Sequence, residues 1–378
     1  MKRVHVLILP LAWLLCTASA FAGQATSEPS PPDTQRPPAR MTKPAPVKAT
    51  PSPALERWFD LQTATFATRY RMIETSVGVV STNQMQGQVA LKGRVKFDSR
   101  ARFTLNAFVG TGNSFTGSWN TTGVGTGELS TNLYLKQIYL AASPVKGFDA
   151  EWGGLGIARG DGTEITTYDN DGYIVGERLS IRRPKDLYVD EISATVGYLG
   201  DTSTVSFTKR YQRLDDVNYR QFLVARKFGP QVSLSADYTR LQGVGTLRAA
   251  VTVRAKFVKA VDLIRFEQYR RLGTTAAWGF GAYAEKAVTR KVTVGGGYAD
   301  IDLKYGGLNA DRFNKGKRLY ATGAVKLSKE FGVSMFFGRA VGNSVTIVNQ
   351  TRFDLLFTYN AVASLQKAGF FAARPAGR

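Results

Sequence analysis

Residues 84–97, with the sequence QMQGQVALKGRVKF, decide the fold class of this chain. Every second residue from Met85 to Phe97 is apolar or glycine, and all the residues between them except Ala90 are polar. A helix would scatter these side chains around its circumference, whereas a strand points successive side chains to opposite faces. We therefore predict a strand with one apolar face and one polar face.

The same period of two recurs along the chain as far as residue 361. It predicts an all-β fold of about 16 strands, although 14 to 18 strands would fit equally well because boundaries drawn from sequence are uncertain by several residues. The predicted strands cover residues 59–73, 84–98, 101–111, 131–142, 148–158, 188–199, 203–213, 219–228, 231–241, 246–258, 261–271, 275–286, 290–301, 317–328, 332–340 and 351–361.

The connections between the predicted strands alternate in length. Those after even-numbered strands are mostly short, whereas several after odd-numbered strands are long, including 112–130, 159–187 and 302–316. Short turns on one rim and long loops on the other are typical of transmembrane antiparallel up-and-down β-barrels. The alternative is a soluble β-sandwich, whose apolar faces would pack inward, and the linear pattern alone does not say which face is outside.

Aromatic residues near the strand ends favour the membrane barrel. Such residues form girdles at the two membrane interfaces. The candidates are Phe97, Tyr198, Tyr211, Phe228, Tyr238, Phe257, Tyr298 and Tyr359.

The segment before the predicted barrel is organised differently. Residues 1–22 have a basic start, a short apolar run and small residues that fit a cleavage site, which is typical of a signal peptide. Residues 23–54 are rich in proline and are predicted to be a disordered linker. The barrel is predicted to span residues 55–361, followed by a C-terminal tail, 362–378.

The chain is strongly basic, with 50 Lys and Arg against 29 Asp and Glu. A Lys or Arg on the lipid face of a barrel costs about 2–4 kcal/mol at the midplane, so the strand cations should face the interior. The predicted pore-lining basic residues are Lys92, Arg94, Lys96, Arg248, Arg254, Lys256, Arg318 and Lys326.

These charges have three interpretations at this point. The wall cations would give the interior a preference for anions, or they would be a solvated lining with counter-charges across the lumen. Alternatively, basic loop residues would bind lipopolysaccharide phosphates. The loop candidates are Arg178, Arg182, Arg183, Lys304 and Lys315.

In architecture, residues 55–361 resemble a 16-stranded bacterial outer-membrane porin, and their charge gives a weaker resemblance to the basic barrels that export alginate. In porins the loop after the fifth strand folds into the lumen and narrows it. The matching segment here begins Gly160-Asp161-Gly162-Thr163. The resemblance therefore implies a constriction loop with the acidic residues Asp161, Glu164, Asp169, Asp171 and Glu177. The 19 residues after Tyr359 depart from porins, which usually end with an aromatic residue.

The resemblance implies an outer-membrane porin for passive diffusion of small hydrophilic solutes, with a moderate anion preference. The alternatives are a substrate-specific channel for an anionic saccharide and a non-conducting scaffold or adhesin. The implied partners are outer-membrane lipid and lipopolysaccharide, the barrel-assembly machinery and two further copies of the chain in a homotrimer, with no nucleic acid. The only His and the only Cys, His5 and Cys16, lie in the predicted signal peptide. We therefore expect no enzyme activity, no cofactor and no metal site.

Overall fold

The computed structural model describes residues 58–76, 79–112, 117–163, 174–182, 188–200, 207–255, 258–273, 276–302, 304, 316–341 and 351–367. The predicted signal peptide and linker lie outside these residues. None of the helices in the described ranges is long and apolar enough to cross a bilayer.

Within the described ranges, seventeen strands form one antiparallel sheet that closes on itself, because β1 pairs with β2 on one side and with β17 on the other. The strands are β1 Phe59–Ser76, β2 Val79–Lys96, β3 Phe103–Thr111, β4 Asn120–Gly125, β5 Leu133–Ala142, β6 Phe148–Leu155, β7 Ile174–Ile181, β8 Glu191–Tyr198, β9 Tyr219–Phe228, β10 Val232–Leu241, β11 Val244–Val253, β12 Leu263–Arg271, β13 Ala277–Ala287, β14 Val292–Ile301, β15 Gly316–Lys326, β16 Phe331–Ala340 and β17 Thr351–Asn360.

Sixteen of these strands make the wall, which confirms the predicted strand number and the barrel architecture. The remaining strand, β4, is short and pairs with β2 at Gln84–Gly87, beyond the end of β3. It belongs to the long connection between β3 and β5 and was not predicted.

The polarity of the wall is inverted relative to a soluble protein, and this decides between barrel and sandwich. Side chains on the inner face are polar and buried, for example Arg69, Gln86 and Ser193. Large apolar side chains on the outer face are exposed, for example Trp152 at 49% and Phe357 at 50%. A soluble sandwich would bury its apolar faces, so the outer face of this barrel is built to contact lipid.

The register confirms the face assignment that was made for residues 84–97. Gln86 pairs with Arg69, and Lys92 pairs with Thr63 and Phe108, on the inner face of β1, β2 and β3. Val95 lies on the outer face and is 38% exposed.

One predicted strand is wrong, and one wall strand was missed. Within the predicted strand 203–213 the structure has a short helix, α1 Phe207–Tyr211, so Tyr211 is not a girdle residue of the wall. The missed strand is β7, which lies inside the predicted loop 159–187. In β7 the alternation of polar inward and apolar outward side chains is broken, because the apolar Ile174 faces the interior and the charged Glu177 faces outward. The two errors cancel in the strand count.

The connections define two rims. The connections 143–147, 229–231, 288–291 and 327–330 join strand ends at one rim, which we call the short-turn rim. The strand ends at the opposite rim, the long-loop rim, are those joined by 112–132, 156–173, 199–218 and 302–315. The start of β1 and the end of β17 both lie at the short-turn rim, where a second short helix, α2 Ala361–Lys367, follows β17 directly.

Candidate functional site in the barrel interior

The described part of the loop after β6, residues 156–163, runs along the inner wall of the barrel. Its Ala158 carbonyl accepts a hydrogen bond from Gln221 Nε2 on β9 at 3.0 Å. On β10, Ser233 Oγ donates to the Asp161 carboxylate at 2.5 Å, and Ser235 Oγ donates to the Asp161 carbonyl at 2.9 Å. This segment therefore lies inside the barrel and follows the wall from β9 to β10.

Two glycines allow the loop to approach the wall this closely. A Cβ atom on Gly160 would stand 2.4 Å from Ser235 Cβ, which no real side chain tolerates. Gly162 has a φ of +87°, and its Cβ atom would stand 2.7 Å from Thr252 Oγ1 on β11. Both positions therefore require glycine, for contact at the first and for backbone conformation as well at the second.

A buried ion pair lies on the inner face of β10 and β11. Arg248 Nη2 donates to Asp237 Oδ1 at 2.7 Å and to Thr239 Oγ1 at 2.6 Å, and Arg248 Nε lies 3.0 Å from both carboxylate oxygens. The Arg248 and Asp237 side chains are 2% and 1% exposed. The charge of Arg248 is therefore neutralised locally rather than presented to a solute.

A second group of charges spans β17 and β1, where three guanidinium groups surround one carboxylate. Arg71 Nε and Arg352 Nη2 lie 2.8 Å and 2.6 Å from the Asp354 carboxylate, and Arg69 Nη1 lies 3.9 Å from it. The guanidinium of Arg69 also stacks over the Trp119 ring at 4.1 Å. These four charged side chains carry an excess of positive charge into the interior.

A third polar group crosses β6, β7 and β8. Arg178 donates to Glu151 Oε2 at 2.9 Å and to Thr195 Oγ1 at 3.0 Å, and it also donates to the Gly156 carbonyl at the start of the loop. Arg178 is one of the residues predicted to bind lipopolysaccharide from a loop, but it lies in β7 and faces the barrel interior, which excludes that role.

The predicted pore-lining residues differ in their positions. The register puts Lys92, Arg94 and Lys96 together on the inner face of β2, and Arg94 forms an ion pair with Asp60 at 2.8 Å. Arg318 faces inward from β15 and is 2% exposed.

The other predicted wall cations lie at or beyond strand ends. Lys326 pairs with Gly332 on the inner face at the end of β15 and is exposed. Arg254 follows β11 directly and is exposed, and Lys256 lies outside the described residues.

The predicted constriction residues need one correction. Glu177 is not in the loop, because it lies in β7 between Trp152 and Val196 on the outer face, where it is exposed. Asp161 is in the loop and is held by the wall serines. Glu164, Asp169 and Asp171 lie outside the described residues.

Sequence reasoning missed the arginines around Asp354. Arg69 and Arg71 alternate with Tyr70 and Met72, and Arg352 and Asp354 flank Phe353, so a period-two signal was present in both strands. In β1 this signal does not show which face is inside, because the apolar Ala67 and Ile73 share the inner face with the arginines.

Among the described residues no group of three or more His, Cys, Asp or Glu side chains is placed to hold a metal ion. The clusters above instead combine guanidinium, carboxylate and hydroxyl groups. Such groups can attract, repel or bind hydrophilic solutes through charge and hydrogen bonds.

Comparisons with known proteins identify the fold. No protein-family model matches the chain, and no curated protein matches it. Among solved structures, Salmonella typhi OmpF in complex with daunomycin matches with a TM-score of 0.53 and 12% identity, over 82% of this chain and 99% of that one. A mutant of Rh. blastica porin matches with a TM-score of 0.52 and 12% identity, over 80% and 99%. Pseudomonas putida OprB at low pH matches with a TM-score of 0.50 and 10% identity, over 81% and 93%. The chain therefore has the fold of the outer-membrane porins.

Proposed function

We propose that this protein is an outer-membrane channel through which small hydrophilic solutes diffuse passively. The observation that carries the proposal is the inverted polarity of a closed 16-strand wall, with polar side chains inside and apolar side chains outside. A barrel of that size leaves room for an aqueous path. The inward course of residues 156–163 supports a narrowing inside the barrel.

We also propose a moderate preference for anions. Basic side chains outnumber acidic ones on the inner face of the described strands. The inward basic residues are Arg69, Arg71, Lys92, Arg94, Lys96, Lys136, Arg178, Lys227, Arg248, Arg265, Arg271, Arg318, Lys326 and Arg352. Their acidic counterparts are Asp60, Asp149, Glu151, Glu191, Asp237, Glu267, Glu285 and Asp354. Local ion pairs and the acidic loop oppose the excess, so the preference should be moderate.

Planar-bilayer recordings of the purified protein test the channel. We expect discrete conductance steps that rise with salt concentration and do not saturate with solute. Saturation by an acidic sugar would instead favour the substrate-specific channel, and a silent bilayer containing folded barrels would favour the scaffold.

The charge preference is tested by replacing Lys92, Arg94 and Lys96 together with Glu. Successive members of this trio stand about 6–7 Å apart along β2, and screening over that distance is incomplete because the Debye length is about 8 Å at physiological salt. The zero-current potential in a salt gradient should shift toward cation selectivity. The control replaces Lys304 and Lys315 with Glu, and its potential should stay near the wild-type value. A triple variant that folds and conducts with an unchanged potential would refute the role of these three residues.

A further inference from the structure

A second segment of the chain, residues 117–119, lies inside the barrel. β3 ends at Thr111, partway along β2, and β4 takes its place beside β2. Between these two strands the Gly117 carbonyl accepts a hydrogen bond from Nζ of Lys136, an inward side chain of β5 that is 1% exposed. The Ser118 carbonyl accepts a second hydrogen bond from Thr111 Oγ1 at 2.7 Å. These bonds hold the segment against the inner wall.

The segment places the indole of Trp119 against the inner face of β1. Thr121 pairs with Gln86 on the inner face, and Trp119, two residues earlier, points to the same side of the sheet. The Arg69 guanidinium stacks on the Trp119 ring at 4.1 Å. Arg69 is itself held by Gln86 Oε1, which accepts a hydrogen bond from its Nε at 2.9 Å. Contacts on β1 and β2 therefore fix the position of the ring in the lumen.

Trp119 and the loop after β6 lie on opposite sides of the lumen. Counted around the ring of sixteen wall strands, β10 stands eight strands from β1 in both directions. The loop segment 156–163 is held on β10 through Asp161, and the indole is held on β1 through Arg69. A solute that crosses the barrel therefore meets both of these sides.

Part of the Trp119 indole is available to a solute. Within the described part of the chain, Arg69 is its one ring contact, and the side chain is partly exposed. The area that Arg69 leaves uncovered therefore borders the lumen. Stacked aromatic rings gain energy beyond the burial of their area, so a flat ring that enters the lumen has a stacking partner here.

The charges beside the indole favour a carboxylate on that solute. The guanidinium groups of Arg69, Arg71 and Arg352 lie 3.9, 2.8 and 2.6 Å from the Asp354 carboxylate, and the four side chains together are positively charged. Guanidinium groups match the geometry of carboxylate oxygens. A sugar fits less well, because each of its hydroxyl groups needs a hydrogen-bond partner and the indole offers a single N–H.

We propose that Trp119, positioned by Arg69, forms a weak binding site inside the channel for small aromatic carboxylates. The inference rests on the proposed channel function and names a class of solute for it. The ring of the solute stacks on the indole, and its carboxylate lies toward the guanidinium groups of β1 and β17. Because one wall alone supplies these contacts, the solute is delayed rather than retained, and other hydrophilic solutes still pass.

The first test uses the full purified chain in planar bilayers, with benzoate as the probe. Benzoate should add brief interruptions to the open-channel current. Cyclohexanecarboxylate has the same charge on a saturated ring, and benzyl alcohol has the same ring without the charge. Each should interrupt the current about fivefold less often than benzoate, as expected for the loss of one stacking or charge contact. Interruptions as frequent as those of benzoate, from either compound, would overturn the proposal.

The second test changes the indole. Trp119→Leu should reduce the benzoate interruptions about fivefold, whereas Trp119→Phe keeps an aromatic ring and should stay close to wild type. The matched control, Trp152→Leu, removes a tryptophan that points outward from β6 and is 49% exposed, and it should leave the interruptions unchanged. Wild-type interruptions in Trp119→Leu, or an equal loss in Trp152→Leu, would contradict the site.

Saturation-transfer NMR in detergent measures benzoate binding separately from conduction. Wild type should transfer saturation to benzoate, and Trp119→Leu should transfer less while Trp152→Leu matches wild type. Binding that depends on Trp119 together with a silent bilayer would support the site and refute the channel. A protein that conducts but binds benzoate equally well with and without the Trp119 indole would refute the site and leave the channel standing.

Discussion

Asp237 and Arg248 show how a charged pair can be held inside a membrane barrel. Both side chains are almost fully buried, and Thr239 bonds to both of them. Removing one partner of such a pair leaves the other charge buried without compensation, which costs far more than the pair contributes. The pair therefore fixes β10 against β11 rather than serving solutes.

Asp237→Asn should lower the free energy of unfolding by about 3–5 kcal/mol, because it removes the negative charge that compensates the buried guanidinium of Arg248. Unfolding in denaturant, followed by tryptophan fluorescence in detergent, measures the change.

The control for this change is Asp262→Asn in the turn before β12. The Lys286 ammonium lowers the pKa of the Asp262 carboxyl through a hydrogen bond, so this pair is charged at neutral pH. The Lys286 and Asp262 side chains are 35% and 43% exposed, so solvent screens the pair, and its loss should cost about 1 kcal/mol or less. Equal losses in the two variants would contradict the assignment of Asp237 as a buried structural charge.

At the scale of elements, the described part of the loop after β6 is attached to the wall by hydrogen bonds from β7, β9 and β10. Ser233 and Ser235 hold Asp161, and both hydroxyls come from one strand. The strength of this attachment should therefore control how far the segment narrows the lumen.

Ser233→Ala with Ser235→Ala should raise single-channel conductance and current noise, because the loop loses both hydroxyl contacts to β10. The matched control is Ser180→Ala with Ser193→Ala, which removes a pair of inward hydroxyls that bond to each other at 3.0 Å on β7 and β8. Conductance that changes equally in the two double variants would show that the effect does not come from the loop.

Most strands were predictable because lipid requires apolar side chains on the outer face and water requires polar side chains on the inner face. β2 obeys both rules, and the face on which each of its side chains lies was predicted correctly. β7 breaks both, since Glu177 points outward and Ile174 points inward, and period-two alternation disappears there. The site was less predictable, because no local pattern says that Arg71 meets Asp354 across a gap of 283 residues.

At the scale of the whole molecule, outward cations divide the barrel into two halves. The described parts of β1 to β8 have no outward Lys or Arg, whereas β9 to β16 have outward cations near the long-loop rim, namely Arg220, Arg240, Arg270, Lys317 and Arg339. The outer face near β17 and β1 carries packed aromatic rings instead, with Phe331 and Tyr359 at 4.8 Å and Phe66 and Tyr359 at 6.3 Å between centroids. In β17 and β1 no Lys or Arg points outward from this face, and such an apolar face suits contact with another protein subunit. We propose that this half forms the contacts of a homotrimer.

Phe66→Glu should therefore convert the trimer to monomers, as measured by native mass spectrometry in detergent, because it places a charge in the subunit contact. Phe222→Glu is the control, since this residue is exposed to a similar degree on β9, in the half that carries the outward cations. A trimer that survives Phe66→Glu, or one that dissociates equally in both variants, would place the contact elsewhere.

The seam between β1 and β17 makes the barrel a ring that only a nearly complete polypeptide can close. In this seam Thr65 pairs with Asn360 and Glu74 pairs with Thr351. The first wall strand, β1, therefore cannot complete its pairing until the last strand, β17, has been synthesised. Until then both strands expose unpaired backbone groups, which invite pairing with other chains. Bringing such distant segments together is slow, because the entropy of closing a long loop must be lost before the contacts form. The time between synthesis and closure is therefore the period in which this protein is most exposed to aggregation, and it depends on the one ladder that joins the two ends of the wall.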